Sequence, residues 1–136
     1  MRNIIVVVVI ALLLGATWFF IQSKETPPDQ LANNRAPFIH LPEFTAAAQT
    51  GETYFNAKCV TCHGINGTGS DKGPPLIHKI YEPNHHGDES FQRAAKSGVQ
   101  SHHWNFGNMP PVVGITRAEV AKIVIYIREI QAANGI

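Results

Sequence analysis

The sequence has no block of basic residues and almost no net charge, with a formal charge of +1 at pH 7 over 136 residues. Nucleic-acid-binding proteins use clustered Lys and Arg side chains to follow the phosphate backbone, so this class is excluded. From Phe38 onward, basic and acidic residues are equal in number. An apolar fraction of 44% with 15% charged residues is typical of a small folded domain and excludes a disordered chain.

The sequence also lacks the alternating apolar and polar pattern of a β-strand, which predicts an all-α fold. We expect three helices, over residues 44–62, 88–97 and 116–134. Asp88 is the expected N-cap of the second helix, and Gly98 is expected to end it. The third helix has a predicted capping box, Thr116 with Glu119. It also has an apolar stripe at helical spacing, formed by Val120, Ile123, Val124, Ile127 and Ile130.

One long apolar run is present, at residues 4–21. As a helix it is long enough to cross a hydrocarbon core about 30 Å thick. We expect an uncleaved membrane anchor over residues 1–22, with a cleavable signal peptide as the alternative. Residues 23–43 are rich in proline and predict an extended tether, followed by the folded domain at 44–136. Arg2 before the run weakly favours a cytoplasmic N-terminus, with the domain on the periplasmic side of the inner membrane.

Both cysteines of the chain lie in the segment Cys59-Val60-Thr61-Cys62-His63. Two thiols at this spacing are compatible with a disulfide, a thioredoxin-type redox pair, half of a zinc site or covalent haem attachment. The histidine directly after the second cysteine favours haem. Two thioether bonds would hold the porphyrin, and His63 would then lie beneath the iron as its axial ligand.

The flanking residues resemble those of the monohaem class I cytochromes c, over residues 44–136. The resemblance rests on four elements in order: Gly51-x-x-x-Phe55-x-x-x-Cys59-x-x-Cys62-His63-Gly64, Gly73-Pro74-Pro75-Leu76, Met109-Pro110, and Tyr126 in the last helix. It implies a small fold of three main helices around one covalently attached haem c. It also implies that Gly51 lies where the first and last helices cross.

Met109 is the only methionine besides Met1. Methionine most often fills gaps in a core, but a loop in which two prolines follow directly, Pro110 and Pro111, is a poor place for a core residue. The resemblance implies that Met109 is the second axial ligand of the iron. Histidines also lie between the Cys motif and Met109, and they could replace it on the iron, hold a second metal such as copper, or be solvated loop residues: His78, His85, His86, His102 and His103.

The resemblance also assigns residues around the haem. The Pro74 carbonyl is expected to accept the outer N–H of His63, with Leu76 in the same element. Tyr126 is expected to pack near Gly51 and Phe55. From their position between the second helix and Met109, Trp104 and Phe106 are expected either to shield the haem or to pack beneath the Met109 loop.

The function that the resemblance implies is single-electron transfer at a positive midpoint potential, without enzymatic activity. The expected partners are membrane-bound or periplasmic redox proteins, such as an oxidase, a dehydrogenase or a copper-containing oxidase. The alternative is a haem protein with a labile sixth ligand that catalyses a reaction or binds a small gas molecule.

Overall fold

The computed structural model describes residues 39–136. The predicted anchor and most of the predicted tether lie outside this range. Between residues 39 and 136, no helix is both long and apolar enough to cross a membrane.

Four helices form the described domain: α1 at Ala46–Lys58, α2 at Val60–His63, α3 at Asp88–Ser97 and α4 at Arg117–Ala133. Short 3₁₀ turns lie at Ile65–Gly67 and Lys79–Tyr81. Residues 39–136 contain no β-strand, and their one β-bridge joins Val99 and Met109. The prediction of an all-α domain is confirmed.

Two details of the predicted helices are wrong. The first helix is broken at Cys59, whose φ of −121° departs from helical geometry, so that α1 and α2 are separate. The N-cap of α3 is Gly87, and Asp88 is the first helical residue. The Asp88 carboxylate does not cap α3, and it accepts a hydrogen bond from Arg128 Nε at 2.9 Å. Because Asp88 lies in the first turn of α3, its negative charge still interacts favourably with the helix dipole.

Helix α4 is formed as the sequence predicts. The Thr116 hydroxyl accepts from the Glu119 amide, and the Glu119 carboxylate accepts from the Thr116 amide, which completes the capping box. All five residues of the predicted stripe are buried. Asn134 is the C-cap.

Helices α1 and α4 cross in close contact at Gly51. A Cβ atom at Gly51 would lie 1.9 Å from the Lys122 carbonyl oxygen and 3.0 Å from Tyr126 Cβ. The Tyr126 ring is fully buried beside Phe55, with ring centroids 5.6 Å apart. This arrangement agrees with the predicted helix crossing and explains why α1 tolerates a glycine in its interior.

The segment before α1 is fastened to α4. His40 N–H donates to Asn134 Oδ1 at 2.8 Å, and Asn134 Nδ2 donates to the His40 carbonyl, also at 2.8 Å. Thr45, the N-cap of α1, donates from its hydroxyl to Glu129 Oε1 at 2.6 Å. Both ends of the described domain therefore lie side by side.

Candidate functional site

Cys59 lies at the junction between α1 and α2 and is half-buried, whereas Cys62 lies within α2 and is exposed. The two cysteines do not form a disulfide bond. Burial, together with the neighbouring Cys62, raises the pKa of the Cys59 thiol to about 11. A redox-active cysteine pair needs a lowered thiol pKa, so this environment argues against the thioredoxin-type alternative.

His63 ends α2, and its ring is held by the loop that follows. The Nδ1–H group donates to the Pro74 carbonyl at 2.9 Å, which is the contact expected from the sequence. This bond fixes the tautomer and leaves Nε2 as the nitrogen free to bind a metal. Burial lowers the pKa of His63, and the bond to Pro74 offsets part of this effect. The imidazole is therefore held in the neutral form that metal ligation requires.

Met109 is held by backbone pairing on an otherwise irregular loop. Its N–H donates to the Val99 carbonyl, and the Val99 N–H donates back to Met109, both at 2.9 Å. Gly98 makes this approach possible, because a Cβ atom there would lie 2.4 Å from the Met109 oxygen. Gly98 also has a φ of +76°, which favours glycine.

His63 and Met109 line the same cavity, which has a volume of about 640 Å³. This volume is in the range of ordinary cofactor pockets. Cys59, Pro74, Leu76 and Trp104 also line it, whereas Cys62 and Tyr126 do not. Much of the remaining lining is apolar, from Phe55, Phe91, Phe106, Val120 and Ile123.

The buried Trp104 indole bears on whether haem fits this cavity. Its Nε1–H is buried and makes no hydrogen bond of good geometry, although it lies near the Tyr81 hydroxyl and partly offsets the raising effect of burial on the pKa of that group. An unpaired buried donor is costly, and a carboxylate on the occupant of the cavity would satisfy it. Haem carries two propionates as well as an apolar ring. The unpaired indole, the apolar walls, the neutral imidazole of His63 and the thioether of Met109 therefore fit haem.

Some residues that shape the site were missed from the sequence. Gln131 is buried and donates to the Leu76 carbonyl at 2.8 Å, and Arg128 donates to the Tyr81 carbonyl at 2.6 Å. Asn66 accepts from the Tyr126 hydroxyl at 2.9 Å. Gln131 follows Ile127 by four residues on the buried face of α4, and a polar residue on such a face is a signal of buried hydrogen bonds.

The loop histidines divide into two groups. His78 caps the 3₁₀ turn at Lys79–Tyr81 by accepting from the Ile80 amide at 3.2 Å. The other four rings lie together, and three of them also line the cavity: His86, His102 and His103.

Comparison with curated proteins and with solved structures finds no significant match. A protein-family model, that of cytochrome c, matches residues 48–131. The matched region includes both cysteines, the cavity and the α1–α4 crossing. Because the match covers more than half of the sequence, the chain belongs to the cytochrome c family, whose cofactor is a covalently attached haem c.

Proposed function

We propose that this protein is an electron carrier whose haem is attached through Cys59 and Cys62, with His63 and Met109 as the axial ligands. The observation that carries the proposal is that His63, oriented by Pro74, shares one largely apolar cavity with Met109. When bound, haem supplies a one-electron couple between ferric and ferrous iron.

The side chains around the cavity suit this task in three ways. Pro74 holds the His63 ring in one tautomer, so the ring does not need to reorient. Pairing with Val99 fixes the Met109 backbone. Apolar residues such as Phe55 and Ile123 line the cavity, which lowers the local dielectric around a bound haem. A thioether ligand and a low local dielectric both favour ferrous iron, which supports a positive midpoint potential.

The test is the reactivity of the ferrous holoprotein with carbon monoxide at neutral pH. We expect no binding on mixing, because protein ligands occupy both axial positions. Rapid and complete binding would contradict the carrier function and favour the alternative, a catalytic or gas-binding haem protein with a labile sixth ligand. Absorbance spectra recorded before and after mixing distinguish the two results.

The proposal extends to the location of the protein. The apolar run at 4–21 supports a single-pass anchor in the inner membrane with the haem domain on the periplasmic side. A tether of about twenty residues would confine the domain near membrane-bound partners and raise its effective concentration there. An oxidase, including a copper-containing one, or a dehydrogenase fits this arrangement.

Cell fractionation tests the anchor. We expect the full chain to remain with membranes after a high-salt wash and to be released by detergent. A matched variant has residues 1–22 replaced by a cleavable export signal, and we expect its haem domain in the soluble periplasmic fraction. Full-length protein found in that soluble fraction with its N-terminus removed would show that the run is a signal peptide.

A further inference from the structure

Four histidines from two separate loops converge beside the haem cavity. His85 and His86 precede α3, and His102 and His103 follow it. The ring centroids of His85 and His86 are 4.8 Å apart, and the His103 ring lies 5.4 Å from the first and 5.3 Å from the second. One ring nitrogen from each of these three residues lies within 4.8 Å of the other two.

The hydrogen bonds of the rings leave ligating nitrogens free. His86 Nδ1–H donates to the Ile80 carbonyl at 2.6 Å, so Nε2 is the nitrogen that can bind a metal ion. His102 makes the same kind of bond, from Nδ1–H to the Gln100 carbonyl at 2.8 Å. Metal-binding histidines usually donate their other N–H to such an oxygen, which fixes the tautomer and the ring orientation.

Contacts with α4 hold the first of the two loops. Arg128, whose side chain is only 16% exposed, donates from Nη2 to the His86 carbonyl at 2.6 Å. Its guanidinium also lies 5.0 Å from the centroid of the Phe91 ring and donates to Asp88. The backbone position of His86 is therefore fixed independently of any ion.

The second loop is held at both of its ends. The Val99–Met109 pair closes it, and the Ser101 amide donates to Asn108 Oδ1 at 3.0 Å. His103 lies between these contacts. Partial desolvation and the neighbouring imidazoles lower the pKa of His103, which favours the neutral ring that binds metal ions.

We propose that His85, His86 and His103 form a binding site for one divalent transition-metal ion, Zn²⁺ or Cu²⁺. Neutral imidazoles suit both ions, and three of them leave a coordination position for water or for the adjacent His102. The cluster contains no carboxylate. Mg²⁺ and Ca²⁺ prefer oxygen ligands and do not fit it.

The site lies at the edge of the cavity that fits haem, because His86 and His103 line that cavity as well. An ion bound there would add two positive charges at the edge of this cavity. This charge disfavours ferric relative to ferrous haem, so occupancy raises the midpoint potential. The effect on the potential depends on the proposed electron-transfer function, whereas metal binding does not.

The test is a Zn²⁺ titration of the full-length holoprotein, purified in detergent without a polyhistidine tag and stripped with a chelator. We expect one equivalent to bind, with an affinity reduced by about 100-fold or more in the double variant His85→Ala, His103→Ala. His40→Ala is the matched control, since His40 is exposed, outside the cluster and bonded to Asn134 through its backbone. Its affinity and its haem spectrum should both equal those of the wild type.

A Cu²⁺ titration followed by electron paramagnetic resonance identifies the ligands. We expect coupling to three or more nitrogens in the wild type and loss of this signal in the double variant. Equal Zn²⁺ and Cu²⁺ affinities in the wild type and the double variant would mean an adventitious ion only and would overturn the proposal. That result would leave the carbon monoxide test unaffected, so failure of the metal site is distinguishable from failure of the carrier function.

Discussion

Replacement of Met109 by Ala is expected to change the ferric spectrum, to lower the midpoint potential by about 0.1 V or more, and to let the ferrous protein bind carbon monoxide. Axial ligands set haem potentials over a range of about 0.8 V, and a thioether favours the ferrous state. If Met109 is the sixth ligand, its removal leaves that position to water or to an imidazole that lines the same cavity. Spectroscopic redox titration of the purified holoprotein measures both changes.

Met109→Leu is the matched control, because it keeps an apolar side chain of similar volume but has no sulfur atom. If Met109 is a ligand, the Leu variant should lose the wild-type spectrum as completely as the Ala variant does. A wild-type spectrum in both variants would show that the Met109 assignment is wrong. A wild-type spectrum in the Leu variant alone would show that Met109 only fills space.

Gly51→Ala is expected to destabilise the domain by about 3 kcal/mol or more. In an unobstructed helix the same change would stabilise by about 1 kcal/mol, because alanine has the higher helix propensity. Here the new Cβ would meet the Lys122 carbonyl at 1.9 Å, and this oxygen belongs to the backbone of α4, so it cannot rotate away. The two helices would have to separate, and Phe55 and Tyr126 would lose contact. Urea denaturation of the holoprotein measures the change in free energy of unfolding.

Gly114→Ala is the control for this effect. Gly114 has a φ of +73°, but a Cβ there would meet nothing within 4 Å. Its expected cost is about 1 kcal/mol, from the left-handed backbone alone. Similar losses of stability in the two variants would show that the close contact between α1 and α4 is not the reason why position 51 requires glycine.

The sequence predicts best where short-range rules decide the structure. The capping box and apolar stripe of α4 depend only on spacing within one helix, and both are present in the structure. The α1–α4 crossing at Gly51 is long-range, and it was predictable only through the family resemblance. The contact of His63 with Pro74 was expected for the same reason.

Other features depend on residues far apart in the chain. Asp88 is not the N-cap of α3, and its carboxylate instead pairs with Arg128. The break at Cys59 has no signal in local propensity. The grouping of the loop histidines requires two loops on either side of α3 to fold towards each other, which spacing alone does not reveal.

The paired hydrogen bonds between His40 and Asn134 have a consequence for how the domain can be combined with other proteins. Its entry and exit points are neighbours and lie on α4 or beside it, whereas the Met109 loop is held separately by Val99. The domain could therefore be fused to another polypeptide at either end, or inserted into one, without a change in the conformation of the Met109 loop. In this sense the domain is a modular unit, whose attachment points lie next to each other and whose cavity-lining loops are held by contacts within the domain.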